Sequence, residues 1–294
     1  MKLKNVEELD GTEIAAVDVC GNSNMVIIPK GTKLKKEYVS GLVGLDIHSI
    51  FIEESSETLS KMDPELNGQI LPLEVIDYYI RYLQKIIEDN GEEVKKAPIF
   101  KFDLLAEKMI HYCRTHRNQK ILIDFNREAD IYEHTVYVTL LVVQIAIQFC
   151  VPTVILYQMV ISCLIHDLGL LELGNLDNEE MNKIEILYPE VFQTHSEEMY
   201  QELHQNRWIG EMGAQMVRYH HCDVSTMKEH FNMKKLPVEC GIIYVSDFFD
   251  RSVCGIETGK KDRIEIKEIL QKDIGTCYDK KVVNILYERI AYVD

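Results

Sequence analysis

Residues 162–174 read SCLIHDLGLLELG, an apolar run that ends on adjacent His166 and Asp167 and leaves through glycine. Preceded by TVILYQMVI at 153–161, it predicts a buried helix over 153–168 with two metal-ligating side chains at its exit. Neighbouring helical residues point about 100° apart. The imidazole and the carboxylate can therefore serve different ions, or one ion with the carboxylate bridging to a second. A His-Asp pair alone is weak evidence, because the dipeptide is common. Its weight changes with the donors in separate helical segments: His134, His195, the pair His220–His221, and Asp247. Neutral imidazole and carboxylate oxygen together suit iron, manganese or zinc. Five histidines and two aspartates are enough for two divalent ions. Two ions roughly 3.5–4 Å apart can clamp the attacking and leaving oxygens of a phosphoryl transfer.

Outward from this stretch the apolar period is helical. EVIDYYIRYLQKIIED at 74–89 repeats apolar residues at three- and four-residue steps, an amphipathic helix. Further helices are predicted over 102–117, 126–149, 153–168, 178–186, 189–205, 208–221, 236–252, 264–272 and 279–291, with few strands after residue 70. Residues 12–53 differ: β-favouring runs EIAAVDV, MVIIP and SIFIEE alternate with turn signals, and a helix is predicted near 35–43. Polar ESSETLSKMDPELNG at 54–68 reads as a linker. The chain is therefore mainly α, a helical bundle with a small N-terminal α+β or β-rich domain. The boundaries fall at 1–55, at 56–95 for linker and connecting helix, and at 96–294 for the metal-binding domain.

At 294 residues the chain can bury a substantial core. Its 48 acidic against 32 basic residues give a net charge of −16. That charge repels nucleic-acid polymers and anionic membranes, yet allows a nucleotide ligand, because divalent ions reverse the local sign. The 8 cysteines form no C-x-x-C and no regular framework, which points to a reducing cytoplasmic setting, and no signal-like segment opens the chain. The apolar stretch 135–165 exceeds a bilayer in length, but Gln144, Gln148 and Gln158 interrupt it and Cys150-Val151-Pro152 reads as a turn. Two buried core helices are the better reading. His111, Cys113 and His116 supply three donors without a fourth, which is more typical of a decorated helix than of a metal site.

The order H…HD…H…HH…D, carried by His134, His166-Asp167, His195, His220-His221 and Asp247, resembles the HD superfamily of metal-dependent phosphohydrolases, specifically its HD-GYP branch. IYVSDFFDR at 243–251 resembles the branch's aspartate-containing helix, and DIGTCYDKKVVNIL at 273–286 its closing segment. The N-terminal stretch 5–52 resembles a small domain that often precedes HD-GYP domains in bacteria, so the likeness covers nearly the whole chain. It implies an HD-domain helical bundle with all seven residues as metal ligands, His166 and Asp167 at the catalytic centre, and iron or manganese as the two ions, with zinc also suited. It further implies hydrolysis of cyclic di-GMP or a related cyclic dinucleotide, with a homodimer or a signalling partner protein as candidate associations.

The sequence also departs from the branch. CDVSTMKEHFNMKKLP at 222–237 replaces the Gly-Tyr-Pro signature, Leu170 stands where a phosphate-contacting lysine is usual, and SVCGIETGKKD at 252–262 lacks the expected Arg-Pro-Tyr motif. Arg218, Lys228 and Arg251 are the candidate replacements for substrate contact. Asp130, four residues before His134, and Asp250, one turn beyond Asp247, are candidates for a third ion or for orienting a ligand histidine. Asp247 lies in apolar GIIYVSDFF, where a buried carboxylate is costly unless paired or metal-bound. Two other readings stay open: hydrolysis of a different nucleotide or phosphoester, and a catalytically impaired cyclic-dinucleotide receptor or interaction module.

Overall fold

The computed structural model describes residues 2–6, 9–15, 19–20, 26–29, 31–45, 47, 49–52, 69–96, 98–173, 176–206, 209–221, 237–256, 259–272, 274–275 and 279–293. It divides into two compact units, Met1–Tyr78 and Tyr79–Asp294. The expected linker at 54–68 and the stretch 222–236 in place of the signature triplet lie outside the described residues, as does Lys228.

In the first unit β1 (Lys2–Asn5) and, after a long excursion, the strand Ser49–Ile52 pair antiparallel, from Lys2↔Ile52 to Asn5↔Ser49. Between them come β2 (Val19–Cys20), β3 (Val26–Ile28) and the short helix α1 (Val39–Gly44), and the closing strand is β4. β2 and β3 form a second antiparallel pair. Val6, Leu9, Ala15, Val19, Ile28, Leu34, Leu42, Ile50 and Ile52 make its core. The alternation of MVIIP and SIFIEE predicts β3 and β4, whereas β1 falls outside the predicted strands because KLKN has too few apolar residues to announce itself.

The second unit is built on helices. α2 (Leu73–Asn90), within which the division between units falls, turns Val75, Ile76, Tyr79, Leu83 and Ile86 to its buried face. α3 (Pro98–Thr115) starts on proline, whose missing N–H costs nothing in a first turn. After β5 (Ile121–Ile123), α4 (Ile131–Gln148) and α5 (Thr153–Ile165) form the centre. Every side chain from His134 to Ala146 on α4 is buried, the mark of a helix that is apolar all round and surrounded by protein. The spans Ile131–Gln148 and Thr153–Leu170, the second counted through the turn after α5, are long and apolar enough to cross a membrane, and 72% of each is buried inside the protein. The turn between them puts Cys150 at φ 54.

A 3-10 turn over Leu168–Leu173 leads to short α6 (Asn178–Met181) and α7 (Ile184–Leu187), then to α8 (Pro189–Asn206) and α9 (Glu211–Arg218). α10 (Val238–Cys254) packs along α4, and α11 (Arg263–Lys272), α12 (Lys280–Arg289) and β6 (Ile290–Tyr292) finish the unit. α10 stops at Gly255, whose φ of 90 suits only glycine and whose N–H bonds Arg251 O at 2.8 Å.

Three expectations are corrected here. α4 begins at Ile131 rather than near 126, because the Asp130 carboxylate caps it, accepting from Glu133 N at 2.8 Å. The predicted helix 178–186 is two short helices, α6 and α7. The predicted helix 279–291 ends at Arg289, and Ile290–Tyr292 pairs parallel with Ile121–Ile123. Three-residue strands paired between distant segments leave no periodic trace.

Candidate metal centre

α4 carries His134 in its first turn, α5 ends on His166 and Asp167, α8 carries His195, α9 gives way to His220 and His221, and α10 carries Asp247. All seven converge. His134 and Asp247 are 0% exposed, and His166, Asp167, His195 and His220 are nearly so. Their approach depends on Gly169: a Cβ built there would lie 2.4 Å from His195 Cβ, so only glycine lets α8 come this close to the end of α5.

Two donor sets share Asp167. Its Oδ1 lies 3.0 Å from His220 Nε2, 3.4 Å from His195 Nε2 and 3.7 Å from His221 Nε2. The last three are close to each other as well, with His195 to His221 at 3.2 Å and His195 to His220 at 3.5 Å. Its Oδ2 faces the other way, 3.2 Å from His166 Nε2 and 3.6 Å from His134 Nε2. Those two nitrogens are 3.3 Å apart, and Asp247 Oδ1 lies 3.1 Å from His134 Nε2 and 3.6 Å from His166 Nε2. Asp167 with His195, His220 and His221, and Asp167 with His134 and His166, each have the proximity of a cation site.

The hydrogen bonds behind the imidazoles fix which nitrogen faces inward. Nδ1 of His166, His195 and His220 donates to the carbonyls of Cys163, Phe192 and Val217 at 2.6, 2.7 and 2.6 Å. A carbonyl only accepts, so Nδ1 carries the hydrogen and Nε2 is the free donor atom. His134 Nδ1 bonds Asp250 Oδ2 at 2.8 Å with the same result. Unprotonated Nε2 atoms facing one another at 3.2–3.5 Å repel, and either a proton or a metal ion among them relieves the repulsion. Ligands at about 2.0–2.2 Å from a common ion have this kind of spacing. Asp167 Oδ2 and Asp247 Oδ1 are also buried without a hydrogen bond, a costly arrangement that a divalent ion would relieve, while Asp247 Oδ2 is met by Arg251. The residues therefore fit a divalent metal.

The electrostatics show the same charge pairing. Burial would raise the Asp167 carboxyl, yet His166, His195 and His220 hold it well below the usual carboxylate range. Burial likewise opposes ionised Asp247, and Arg251, His134 and His166 overcome it. Burial pushes His134 and His166 down, but the nearby aspartates prevail and raise both, His166 to about 9. Burial and then the neighbouring His221 lower His220 to about 3.

The remaining candidates divide. Asp250 stands behind His134 and pairs with Arg127. The Asp130 side chain caps α4 and is in none of the donor groups. Arg218 Nε lies 2.5 Å from Glu197, and its guanidinium lies over Tyr200. Arg251 sits within ion-pair distance, 2.7 Å, of Asp247 Oδ2. Leu170 belongs to an apolar cluster with Ala129, Met181, Ile184, Cys254 and Ile256. The sequence reading passed over Arg127, which no motif marks, and over the steric role of Gly169, whose only signal is a glycine two residues past Asp167.

The family model of the HD domain matches residues 131–252, from the start of α4 almost to the end of α10. Among solved structures the chain is similar to Bd1817, a HDG"Y"P protein from Bdellovibrio bacteriovorus, at 15% identity over 97% of each chain and a TM-score of 0.51. That likeness is one of fold. No curated protein matches the chain.

Proposed function

We propose, on the match of residues 131–252 to the HD-domain family of metal-dependent phosphohydrolases, that the chain hydrolyses a phosphodiester, cyclic di-GMP or a related cyclic dinucleotide, at a centre of two divalent ions. The observation that carries this reading is the division of Asp167: Oδ1 addresses three imidazoles and Oδ2 two others, the arrangement of a bridging carboxylate. His134, His166, Asp167 and Asp247 would hold one ion, and Asp167, His195, His220 and His221 the other. When bound, iron or manganese, with zinc also suited, supplies Lewis-acid neutralisation of phosphoryl oxygens and lowers the pKa of a water towards neutrality.

The chain's own residues supply the rest. Asp167 stands between the two sets with His166 beside its Oδ2, and Asp250 keeps the His134 ring turned with Nε2 inward. Near-complete burial of the donors keeps bulk water from competing for them, which strengthens every charge interaction in the cluster. We place the reaction in the cytoplasm, in keeping with the free thiols of Cys113, Cys150, Cys163, Cys240 and Cys254.

A second reading, hydrolysis of another nucleotide or phosphoester, is favoured by Leu170 and Arg218. The first is packed among apolar side chains and the second is engaged by Glu197, so neither serves as the phosphate contact the HD-GYP branch would use. One assay separates the readings. Protein purified without oxygen and loaded with iron or manganese is given cyclic di-GMP, with Asp167→Ala alongside. Linear dinucleotide or GMP from the wild type alone supports the first reading. Turnover of bis(p-nitrophenyl) phosphate without turnover of cyclic di-GMP supports the second. A fully loaded protein that hydrolyses neither overturns hydrolysis, and a nucleotide-induced rise in Tm without turnover would then mark a receptor.

A further inference from the structure

Two arginines stand behind one of the donor sets. Arg127, in the segment between β5 and α4, ion-pairs through Nη2 with Asp250 Oδ1, while Asp250 Oδ2 accepts from His134 Nδ1 at 2.8 Å. Its guanidinium also lies 3.8 Å from the Tyr137 ring centroid and its Nε 3.6 Å from Glu133, so it is held on several sides. The Arg127 side chain is 9% exposed and that of Asp250 0%, so the pair is buried and weakly screened. On α10, Arg251 Nη2 lies 2.7 Å from Asp247 Oδ2, and Asp247 Oδ1 is left facing His134 and His166.

The same device occurs twice. In each case an arginine occupies one oxygen of a buried carboxylate and leaves the other to act on the donor set. At Asp250 the remaining oxygen orients a ligand imidazole, and at Asp247 it is itself the donor. In the other set His195 and His220 rest, as His166 does, on backbone carbonyls, those of Phe192 and Val217, which no side-chain substitution removes.

We propose that Arg127 and Arg251 are positioning residues for a single ion, the one held by His134, His166, Asp167 and Asp247, and leave the ion at His195, His220 and His221 largely unaffected. This rests on the two-ion reading above. Partners behind metal ligands typically change affinity by about 10–100-fold when removed. Charge alone predicts the opposite sign, because deleting a cation beside a cation site tightens binding. The direction of the change therefore decides between positioning and simple repulsion.

The test is calorimetric titration of the metal-free full chain with Mn2+, comparing wild type with Arg127→Met and Arg251→Met. The expected result is two equivalents in the wild type, with each variant keeping one step at wild-type affinity and weakening the other by about 10–100-fold. A step that tightens, a shift shared by both steps, or no shift overturns the inference. If the wild type itself takes up fewer than two equivalents, the two-ion reading fails and this inference falls with it. Circular dichroism of the metal-free variants checks folding. Where a methionine variant does not fold, Arg127→Lys or Arg251→Lys keeps the charge but not the fork, and weakening confined to the same single step is the expected result.

Discussion

The donors come from two kinds of helix. His134, His166 and Asp247 sit on or at the end of α4, α5 and α10, which are sunk in the core, whereas His195 and His220 belong to α8 and α9, which bury only one face. On α8 the buried residues are His195, Met199, Tyr200 and Leu203, so the histidine occupies an apolar position of an otherwise regular stripe. On α4 every residue from His134 to Ala146 is buried, and no stripe exists against which a histidine could stand out. The core helices fix half the centre by burial, and the half-exposed helices close the other half onto it.

The largest effect should come where the two halves meet. Asp167→Ala removes the carboxylate shared by both sets, so hydrolysis should fall to background and both ions should be lost on dialysis. His221→Ala, whose side chain is 17% exposed, should cost only the ion on its own side. Metal content by mass spectrometry measures both, and retention of two ions by Asp167→Ala would break the comparison at its centre.

Next is Leu170→Lys, which introduces the lysine expected there from the resemblance to the HD-GYP branch. Leu170 is 4% exposed among apolar side chains, so a lysine there must bury its charge or distort the turn to reach water. A destabilisation of about 2–3 kcal/mol without a gain in turnover is expected from denaturant unfolding. A gain in turnover would mean that this turn can open towards substrate.

Gly169→Ala tests the closure directly. Its Cβ would meet His195 Cβ at 2.4 Å and Cα at 3.0 Å, atoms that move only if α8 does. Overpacking of this kind costs about 1–3 kcal/mol, and the ion held by His195 should weaken with it. Gly213→Ala is the control. Its nearest contact, at 2.8 Å, is the mobile end of the Ile209 side chain, so a smaller fall in Tm is expected.

The same contrast explains what was legible. The seven side chains were singled out by the order H…HD…H…HH…D, which carries the likeness to the HD-GYP pattern, because each histidine alone reads as an ordinary surface or core residue; the helices could be read from their period. What escaped depends on contacts between distant segments: the β5–β6 pairing, the Arg127–Asp250 pair behind His134, and the reach of Gly169 to α8. The cap made by Asp130 also escaped, because four-residue spacing from His134 assumes a helix already under way, whereas this carboxylate starts one.

A smaller effect is expected from pH. Without metal, Asp167 and Asp247 raise His166 from the ordinary 6.5 to about 9 against the effect of burial. A histidine raised in the folded state contributes stability that is fully present below 6.5 and is lost as pH climbs through about 9. Metal-free protein should therefore lose Tm across that window, while metal-loaded protein, whose His166 has already given up its proton, should lose less. Metal uptake near neutral pH should release protons in a weakly buffered solution. Uptake without proton release would mean His166 lies outside the coordination shell.

The smallest effect belongs to Arg218→Ala, and its smallness is informative. Arg218 stands at the end of α9, two residues before His220, and chain position alone would make it a substrate contact. Its partners are Glu197 at 2.5 Å and the Tyr200 ring, and its side chain is 31% exposed. A solvent-screened pair of this kind contributes about 0–1 kcal/mol. The expected outcome is a Tm within a few degrees of wild type, with kcat and KM both unchanged. A rise in KM alone would put Arg218 at the substrate and would show that α9 rearranges when substrate binds, making the half-exposed side of the centre the adaptable one.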